Sequence, residues 1–318
     1  MKFTIKILPA FIFILASCTP VVIQTQPTIT PTASNTPTAT PPPLIHSIEE
    51  LINLDDVLSL EEVSSTVAEN DEAAYTYAFT YLSQGNIVEG YIAAPKDYLE
   101  QPNPYPILIY NRGGNADLGA VQPFVPSYFA IPLKAIVFAS QYRETFNGTG
   151  KDEFGGDDVQ DVIKLLDFAE RCTFADSNKI VMLGGSRGSI MTYEVLRMDD
   201  RVRAAIIAGG VPDLASVYHF REGGSMQSIL IERVGGTPEE VPEEYERRSA
   251  IQWADEIHVP LLIFHTADDD RAPIEPVDRF ISLLETLNKD VTYIRFDEGG
   301  HGYLDLDLIQ EFFAVHTK

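Results

Sequence analysis

The sequence predicts an α/β protein built on a mostly parallel, doubly wound sheet. After residue 105, short apolar runs alternate with segments of helical periodicity. Such continuous apolar runs are typical of strands that are buried on both faces of a parallel sheet. The runs are 107–110, 135–139, 180–183, 204–208, 261–265 and 291–296.

An antiparallel hairpin is predicted ahead of these units. Residues 75–82 and 87–94 alternate apolar and polar side chains and are separated by the turn-like Ser83-Gln-Gly-Asn86. Before the hairpin, residues 48–70 place leucines and a valine at every third position from Leu51 to Leu60. That spacing predicts an amphipathic helix.

Two further helical regions are expected. Asp157 is a good N-cap for a helix whose apolar side chains, such as Val159 and Leu166, share one face. The segment of about 212–256 interrupts the strand–helix alternation and carries several glutamates. We expect it to be a short helical insertion that partly covers the carboxyl edge of the sheet, with the glutamates in solvent.

The first residues are typical of a secretory leader. Lys2 and Lys6 precede an apolar stretch, and Leu15-Ala-Ser-Cys18 is similar to the lipobox of bacterial lipoproteins. We therefore expect a lipoprotein signal peptide over 1–18, with Cys18 lipidated and the protein attached to a membrane outside the cytoplasm in a bacterial cell envelope. An ordinary cleaved signal or an uncleaved anchor is the alternative.

A disordered tether is predicted next. Thr and Pro fill 15 of the 25 positions from 19 to 43, a composition that forms no core. The folded domain is then expected over 44–318. A net charge of −24 excludes nucleic acid as a plausible partner. The remaining cysteine, Cys172, is expected to be a half-buried structural thiol, and the oligomeric state is left open.

The strongest local signal is Gly184-Gly-Ser-Arg-Gly188, between an apolar run and a helical segment. This G-x-S-x-G pattern is the nucleophile elbow of α/β-hydrolases, in which a tight turn exposes a serine hydroxyl. It predicts Ser186 as a nucleophile on an α/β-hydrolase fold.

A serine nucleophile needs a histidine base and a carboxylate that orients it. The run 261–265 leads into three adjacent aspartates, 268 to 270, and residue types alone do not choose among them. His301 follows the run 291–296 and has glycines on both sides, which is typical of an exposed loop. The order Ser, Asp, His is the one found in α/β-hydrolases.

From about residue 105 onward the chain resembles the prolyl oligopeptidase family of serine hydrolases. Several blocks carry the resemblance in order: 110–114 (YNRGG), 142–143 (YR), 156–162 (GDDVQDV), 184–188 (GGSRG), 210–214 (GVPDL), 248–255, the acidic loop and 300–302 (GHG). The family's acidic loop reads H-G-x-x-D-x-x-V-P. Laid on His265 and Pro273, the resemblance implies a triad of Ser186, Asp269 and His301.

The resemblance also implies an oxyanion hole. One donor is expected to be the backbone N–H of Arg187 at a helix N-terminus. The second is expected from the loop after Tyr110, where the family usually has Tyr or His and this chain has Arg112. The backbone around Arg112 and Gly113, or the Arg112 guanidinium itself, is expected to donate instead.

The function expected from this pattern is a serine peptidase that acts on short peptides through an acyl-enzyme, without cofactor or metal. Residues 44–104 are too few for the β-propeller of the large family members, so dipeptidyl-peptidase activity is not implied. Two alternatives stay open, a carboxylesterase on small esters and a non-catalytic tethered binding protein on the same scaffold.

Overall fold

The computed structural model describes residues 43–318, in which nine strands form one sheet in the order β1-β2-β3-β5-β4-β6-β7-β8-β9. The strands are β1 (Val57–Glu62), β2 (Ala74–Ser83), β3 (Asn86–Pro95), β4 (Tyr105–Asn111), β5 (Ile136–Ser140), β6 (Ala175–Gly185), β7 (Val202–Ala208), β8 (Leu261–Thr266) and β9 (Val291–Phe296). The strands β1, β2, β3 and β5 pair antiparallel, and all other pairs are parallel.

Helices cover both faces of the sheet. They are α1 (Ala68–Ala73), α2 (Phe124–Leu133), α3 (Val159–Ala169), α4 (Arg187–Met198), α5 (Leu214–Phe220), α6 (Ser225–Val234), α7 (Pro242–Arg247), α8 (Ile274–Thr286) and α9 (Leu306–His316), with 3₁₀ segments over Ile48–Asn53 and Ala250–Glu256. The core on one face takes side chains from α3, α4 and α8, and the core on the other takes them from α2 and α9.

The predicted fold class is confirmed. The hairpin is β2–β3, and each apolar run lies within or overlaps one of the strands β4 to β9. The runs in β5, β7 and β8 are buried almost throughout, as expected for central parallel strands. The last strand, β9, is only partly buried because it is the edge of the sheet.

The predicted helix over 48–70 is wrong. A 3₁₀ segment ends at Asn53, and β1 then pairs with β2 along the sheet edge. Leu51 and Leu54 are buried, but Leu58 is exposed because β1 turns one side to solvent. Pairing with a ten-residue neighbouring strand outweighs the helical spacing of the apolar residues.

The expected cap at Asp157 is also wrong. The residue that precedes α3 is Asp158, and neither its side chain nor that of Asp157 caps the helix. The Asp158 carboxylate instead accepts hydrogen bonds from the backbone N–H groups of Gly155 and Gly156. Cys172 is fully buried, deeper than expected, and burial raises the pKa of its thiol.

The segment 212–256 contains α5, α6, α7 and a 3₁₀ segment, and its glutamates at 239, 240, 243 and 246 are exposed. The signal peptide predicted over 1–18 with Cys18, and residues 19–42 of the predicted linker, lie outside the described residues. Among residues 43–318, none of the helices combines the length and apolarity needed to cross a bilayer.

Candidate active site

Ser186 lies on a strained turn between β6 and α4. Its backbone has φ 52° and ψ −123°, a conformation that a residue with a side chain rarely adopts. The turn is this tight because glycines occupy the positions two residues before and two residues after Ser186. A Cβ on Gly188 would lie 2.0 Å from the backbone oxygen of Asn111, and one on Gly184 would lie 2.4 Å from the Gly188 oxygen.

Neighbouring groups hold this turn in place. The Ser186 N–H donates to the Ala208 carbonyl at the end of β7 (2.9 Å). The Ser186 carbonyl accepts from the Ser189 hydroxyl (2.7 Å), which in turn accepts from the Val211 N–H (2.7 Å). The serine side chain is therefore fixed at the carboxyl edge of the parallel strands, the usual location of sites in open α/β sheets.

The three aspartates after β8 occupy three different environments. The Asp269 carboxylate lies 2.9 Å from His301 Nδ1 through either oxygen and is buried. The Asp268 carboxylate accepts from the backbone N–H groups of Gly299 and Gly300. The Asp270 side chain is 87% exposed. The structure therefore pairs His301 with Asp269, the aspartate that the family pattern indicates.

His301 is carried by a glycine loop that follows β9. Gly299, Gly300 and Gly302 all have positive φ, and the Thr266 hydroxyl donates to the Gly300 carbonyl (2.9 Å). Together with the hydrogen bonds that Asp268 accepts, these contacts connect the loop that carries His301 (the histidine loop) to the loop that carries the three aspartates (the aspartate loop). His301 and Ser186 line the same cleft.

The carboxylate of Asp269 is held in its ionised form. Burial opposes ionisation, but hydrogen bonds from His301 and from the backbone N–H groups of Ala272 and Arg271 outweigh it and keep the pKa of Asp269 below its usual range. An ionised Asp269 fixes the proton of His301 on Nδ1 and leaves Nε2 as the basic nitrogen. Burial lowers the pKa of the neighbouring His265 and so favours the neutral form of that ring.

Backbone N–H groups are available for an oxyanion. Arg187 is the first residue of α4, where an N–H has no partner within the helix. Gly113 packs against Ser186 so closely that an added Cβ would lie 3.1 Å from Ser186 Cβ. The expectation that the Arg112 guanidinium donates is wrong, because this group is buried and donates to the Gln141, Gly113 and Ala116 carbonyls and to Thr145.

A buried ion cluster underlies the elbow, and sequence reasoning missed it. The Arg187 guanidinium donates to both oxygens of Asp152 (2.6 and 2.7 Å) and to Asp158 (2.5 Å). The guanidinium groups of Arg187 and Arg112 lie 4.9 and 5.0 Å from the centre of the Tyr142 ring. The sequence signal for this ion cluster lies in the blocks 142–143 and 156–162, which place a tyrosine, an arginine and paired aspartates within a few residues.

The cleft beside Ser186 has a volume of about 530 Å³ and a largely apolar wall. That wall is formed by Leu118, Phe154, Val211, Leu214, Val217, Met226 and Ile229, most of them from the segment around α5 and α6. Within residues 43–318, no three His, Cys, Asp or Glu side chains are grouped as a metal site requires.

Comparison with known proteins identifies the family of this chain. The model of the prolyl oligopeptidase family matches residues 139–314. An uncharacterized peptidase of Bacillus subtilis, YtmA, is 30% identical over 216 residues, which is 68% of this chain and 81% of YtmA.

Solved structures share the fold at lower identity. The acylaminoacyl peptidase of Pyrococcus horikoshii superposes with a TM-score of 0.67 at 22% identity, over 80% of this chain and 43% of that one. Acetyl xylan esterase 1 of Thermoanaerobacterium superposes with a TM-score of 0.60 at 15% identity, over 85% of this chain and 91% of that one. The chain therefore spans most of YtmA but less than half of the acylaminoacyl peptidase. By these matches the chain belongs to the prolyl oligopeptidase family and is a serine hydrolase of the peptidase type.

Proposed function

We propose that the protein hydrolyses short peptides through a triad of Ser186, Asp269 and His301. The observation that carries this proposal is the bond between the buried Asp269 and Nδ1 of His301, which lines the same cleft as the strained Ser186. Family membership supports the same chemistry.

In the proposed reaction, Ser186 Oγ attacks the scissile carbonyl carbon while His301 Nε2 takes the hydroxyl proton. The N–H groups of Arg187 and Gly113 stabilise the negative oxygen of the tetrahedral intermediate. The C–N bond then breaks as Nε2–H gives its proton to the leaving amine. Water attacks the acyl-enzyme ester with His301 again as the base, which releases the acid and restores the serine hydroxyl.

The proposed substrate is a short peptide with an apolar side chain next to the scissile bond. The apolar wall of the cleft favours such a side chain, because its burial contributes about 25 cal/mol per Å² of apolar surface. Residues 43–104 form β1, β2, β3, α1 and a 3₁₀ segment, all within or beside the sheet.

An acyl esterase is the second candidate. It is favoured by the match to acetyl xylan esterase 1, which this chain covers over 91% of its length. An ester needs less help from the general acid, because an alcohol leaves more readily than an amine. The two functions differ in the leaving group and share Ser186 chemistry.

We also propose that the enzyme works outside the cytoplasm, held to a membrane by lipid on Cys18 and spaced from it by the Thr/Pro-rich segment 19–43. The lipobox-like Leu15-Ala-Ser-Cys18 and the composition of 19–43 support this location.

The deciding experiment uses the full chain purified in detergent, with Ser186→Ala as the control. We expect kcat/KM for an apolar peptidyl anilide to fall by at least about 10³-fold in the variant. Ester turnover without anilide cleavage by the unchanged protein would replace the peptidase proposal with the esterase. A protein that a fluorophosphonate fails to label at Ser186 would instead be the non-catalytic binding protein.

A further inference from the structure

The charged side chains that line the cleft are basic, although the protein as a whole is acidic. The chain carries a net charge of −24, yet none of the described residues that line the cleft is Asp or Glu. Its ionisable lining residues are Arg187, Arg221, Arg271 and His301. A site that binds the free amino group of a peptide needs a carboxylate in its lining, and the described lining of this cleft has none.

Two of the three arginines are available for a ligand. Arg187 is neutralised by Asp152 and Asp158 and is 1% exposed. Arg221 is half-buried at the end of α5 and forms no ion pair with any residue of 43–318.

Arg271 follows the aspartate loop and is held by its backbone. Its N–H donates to Asp269, which places the residue beside His301 while the side chain stays 66% exposed. Its nearest acidic partner is Asp270, and the two side chains meet at 4.0 Å. Glu222, next to Arg221 in the chain, is exposed and does not line the cleft.

We propose that Arg221 and Arg271 select substrates that carry a carboxylate. This inference rests on the proposed peptidase function and names its substrate class, short peptides with an anionic group near the scissile bond. Guanidinium groups are suited to carboxylates because their planar N–H groups donate in pairs. In the cleft, such an anion meets two arginines and no carboxylate among the described residues of the lining.

The carboxylate has two chemical sources, a free C-terminus or an Asp or Glu side chain. Two sets of apolar peptides separate them. In the first set, each peptide is made once with a C-terminal carboxylate and once with a C-terminal carboxamide. In the second set, all peptides are amidated, and each position in turn carries either Glu or Gln. Cleavage is followed by chromatography, so no reporter group occupies the cleft.

In one of the two sets, we expect the full chain to cleave the acidic member with a kcat/KM about 10–100-fold higher than that of the neutral member. This ratio corresponds to the free energy of a hydrogen bond to a charged group. Arg221→Gln and Arg271→Gln should each reduce that preference mainly through KM, and added salt should reduce it as well. Arg279→Gln is the matched control, since Arg279 is an exposed arginine that pairs with Asp213 outside the cleft.

Equal cleavage of acidic and neutral members overturns the inference and leaves the peptidase proposal intact. An equal loss on both members in the arginine variants also overturns it, because the residues would then support the fold. If no peptide of either set is cleaved while an ester is, the proposed function itself fails.

Discussion

At the scale of single residues, the acidic loop gives adjacent aspartates different roles. Asp269 faces His301, Asp268 faces the backbone of the histidine loop, and Asp270 faces solvent. The difference follows from the direction of each side chain at the end of β8 and not from residue type. For this reason, residue types alone do not choose among the three aspartates, whereas the spacing from His265 to Pro273 in the family pattern indicates Asp269.

Replacing each aspartate by asparagine tests these roles. For Asp269→Asn we expect a fall in kcat of roughly 10³–10⁴-fold, because an amide does not hold the imidazole in the required tautomer. Asp268→Asn should cost about 10-fold, since it weakens two bonds to the loop that carries His301. Asp270→Asn is the matched control and should stay within about twofold on a neutral substrate.

The measurement is kcat and KM for the three variants on one substrate, with circular dichroism to show that each folds. A loss in Asp270→Asn as large as that in Asp269→Asn would contradict the proposed triad.

In the oxyanion hole, the local sequence does not determine where the Arg112 side chain points. The sequence places Arg112 beside the paired glycines, but not the direction of its guanidinium. The structure turns this group away from the cleft, because it donates to five acceptors, the carbonyls of Gly113, Ala116, Leu118 and Gln141 and the Thr145 hydroxyl. Acceptors that are distant in sequence, such as Gln141 and Thr145, are not visible in a local motif. The ion cluster behind Ser186 was missed for the same reason, because its members are also far apart in the sequence.

At the scale of elements, strands were predicted well where they are buried on both faces. The runs in β5, β7 and β8 are continuous and apolar, and they stay so because neighbouring strands and helices cover them completely. The edge strand β1 was missed because only one of its sides is buried, so its apolar spacing resembled a helix. Tertiary pairing with β2 decided the outcome.

The helix that begins after Ser186 contains a carboxyl group in an unfavourable position. The Glu194 side chain is 2% exposed, and its closest cation, Arg197, is 3.6 Å away. One of its oxygens has no hydrogen-bond partner within the described part of the chain. Burial raises the pKa of Glu194 to about 7, despite the nearby arginines.

We expect this group to make stability depend on pH. Because its pKa is raised on folding, its contribution is fully present below the unfolded pKa and is lost as pH rises through about 7. The free energy of unfolding should fall by up to about 3 kcal/mol over this range, and Glu194→Gln should remove that part of the fall.

The effect is measured by urea unfolding of the unchanged protein and of Glu194→Gln, each at pH 5 and at pH 8. Glu256→Gln is the matched control, because this carboxylate is 52% exposed and faces the same Arg197. Parallel pH profiles for the unchanged protein and Glu194→Gln would show that Glu194 stays ionised in the folded state.

At the scale of the whole molecule, the first described residues and the candidate active site lie at opposite ends of β6. Ile45 pairs with Cys172, just before β6, through bonds to Arg171 and Thr173. Ser186 follows the other end of β6, whose 11 residues span about 35 Å. The described residues that line the cleft all fall between 113 and 301.

This arrangement leads to a prediction for the leader. Cys18→Ser should abolish lipidation and move the enzyme from the membrane fraction to the soluble fraction. The kcat/KM for a soluble peptide should stay within about twofold, since no lining residue lies near the start of the domain.

The measurement is fractionation of a bacterial host that expresses each form, followed by mass spectrometry of the N-terminal peptide and by activity per mole of enzyme. Ser17→Ala is the matched control, because it keeps a small residue before Cys18 and should remain in the membrane fraction. A Cys18→Ser protein that stays in the membrane fraction would show that the apolar stretch remains attached as an anchor. Release of both variants would instead indicate an ordinary cleaved signal, since membrane attachment through lipid requires the thiol at position 18.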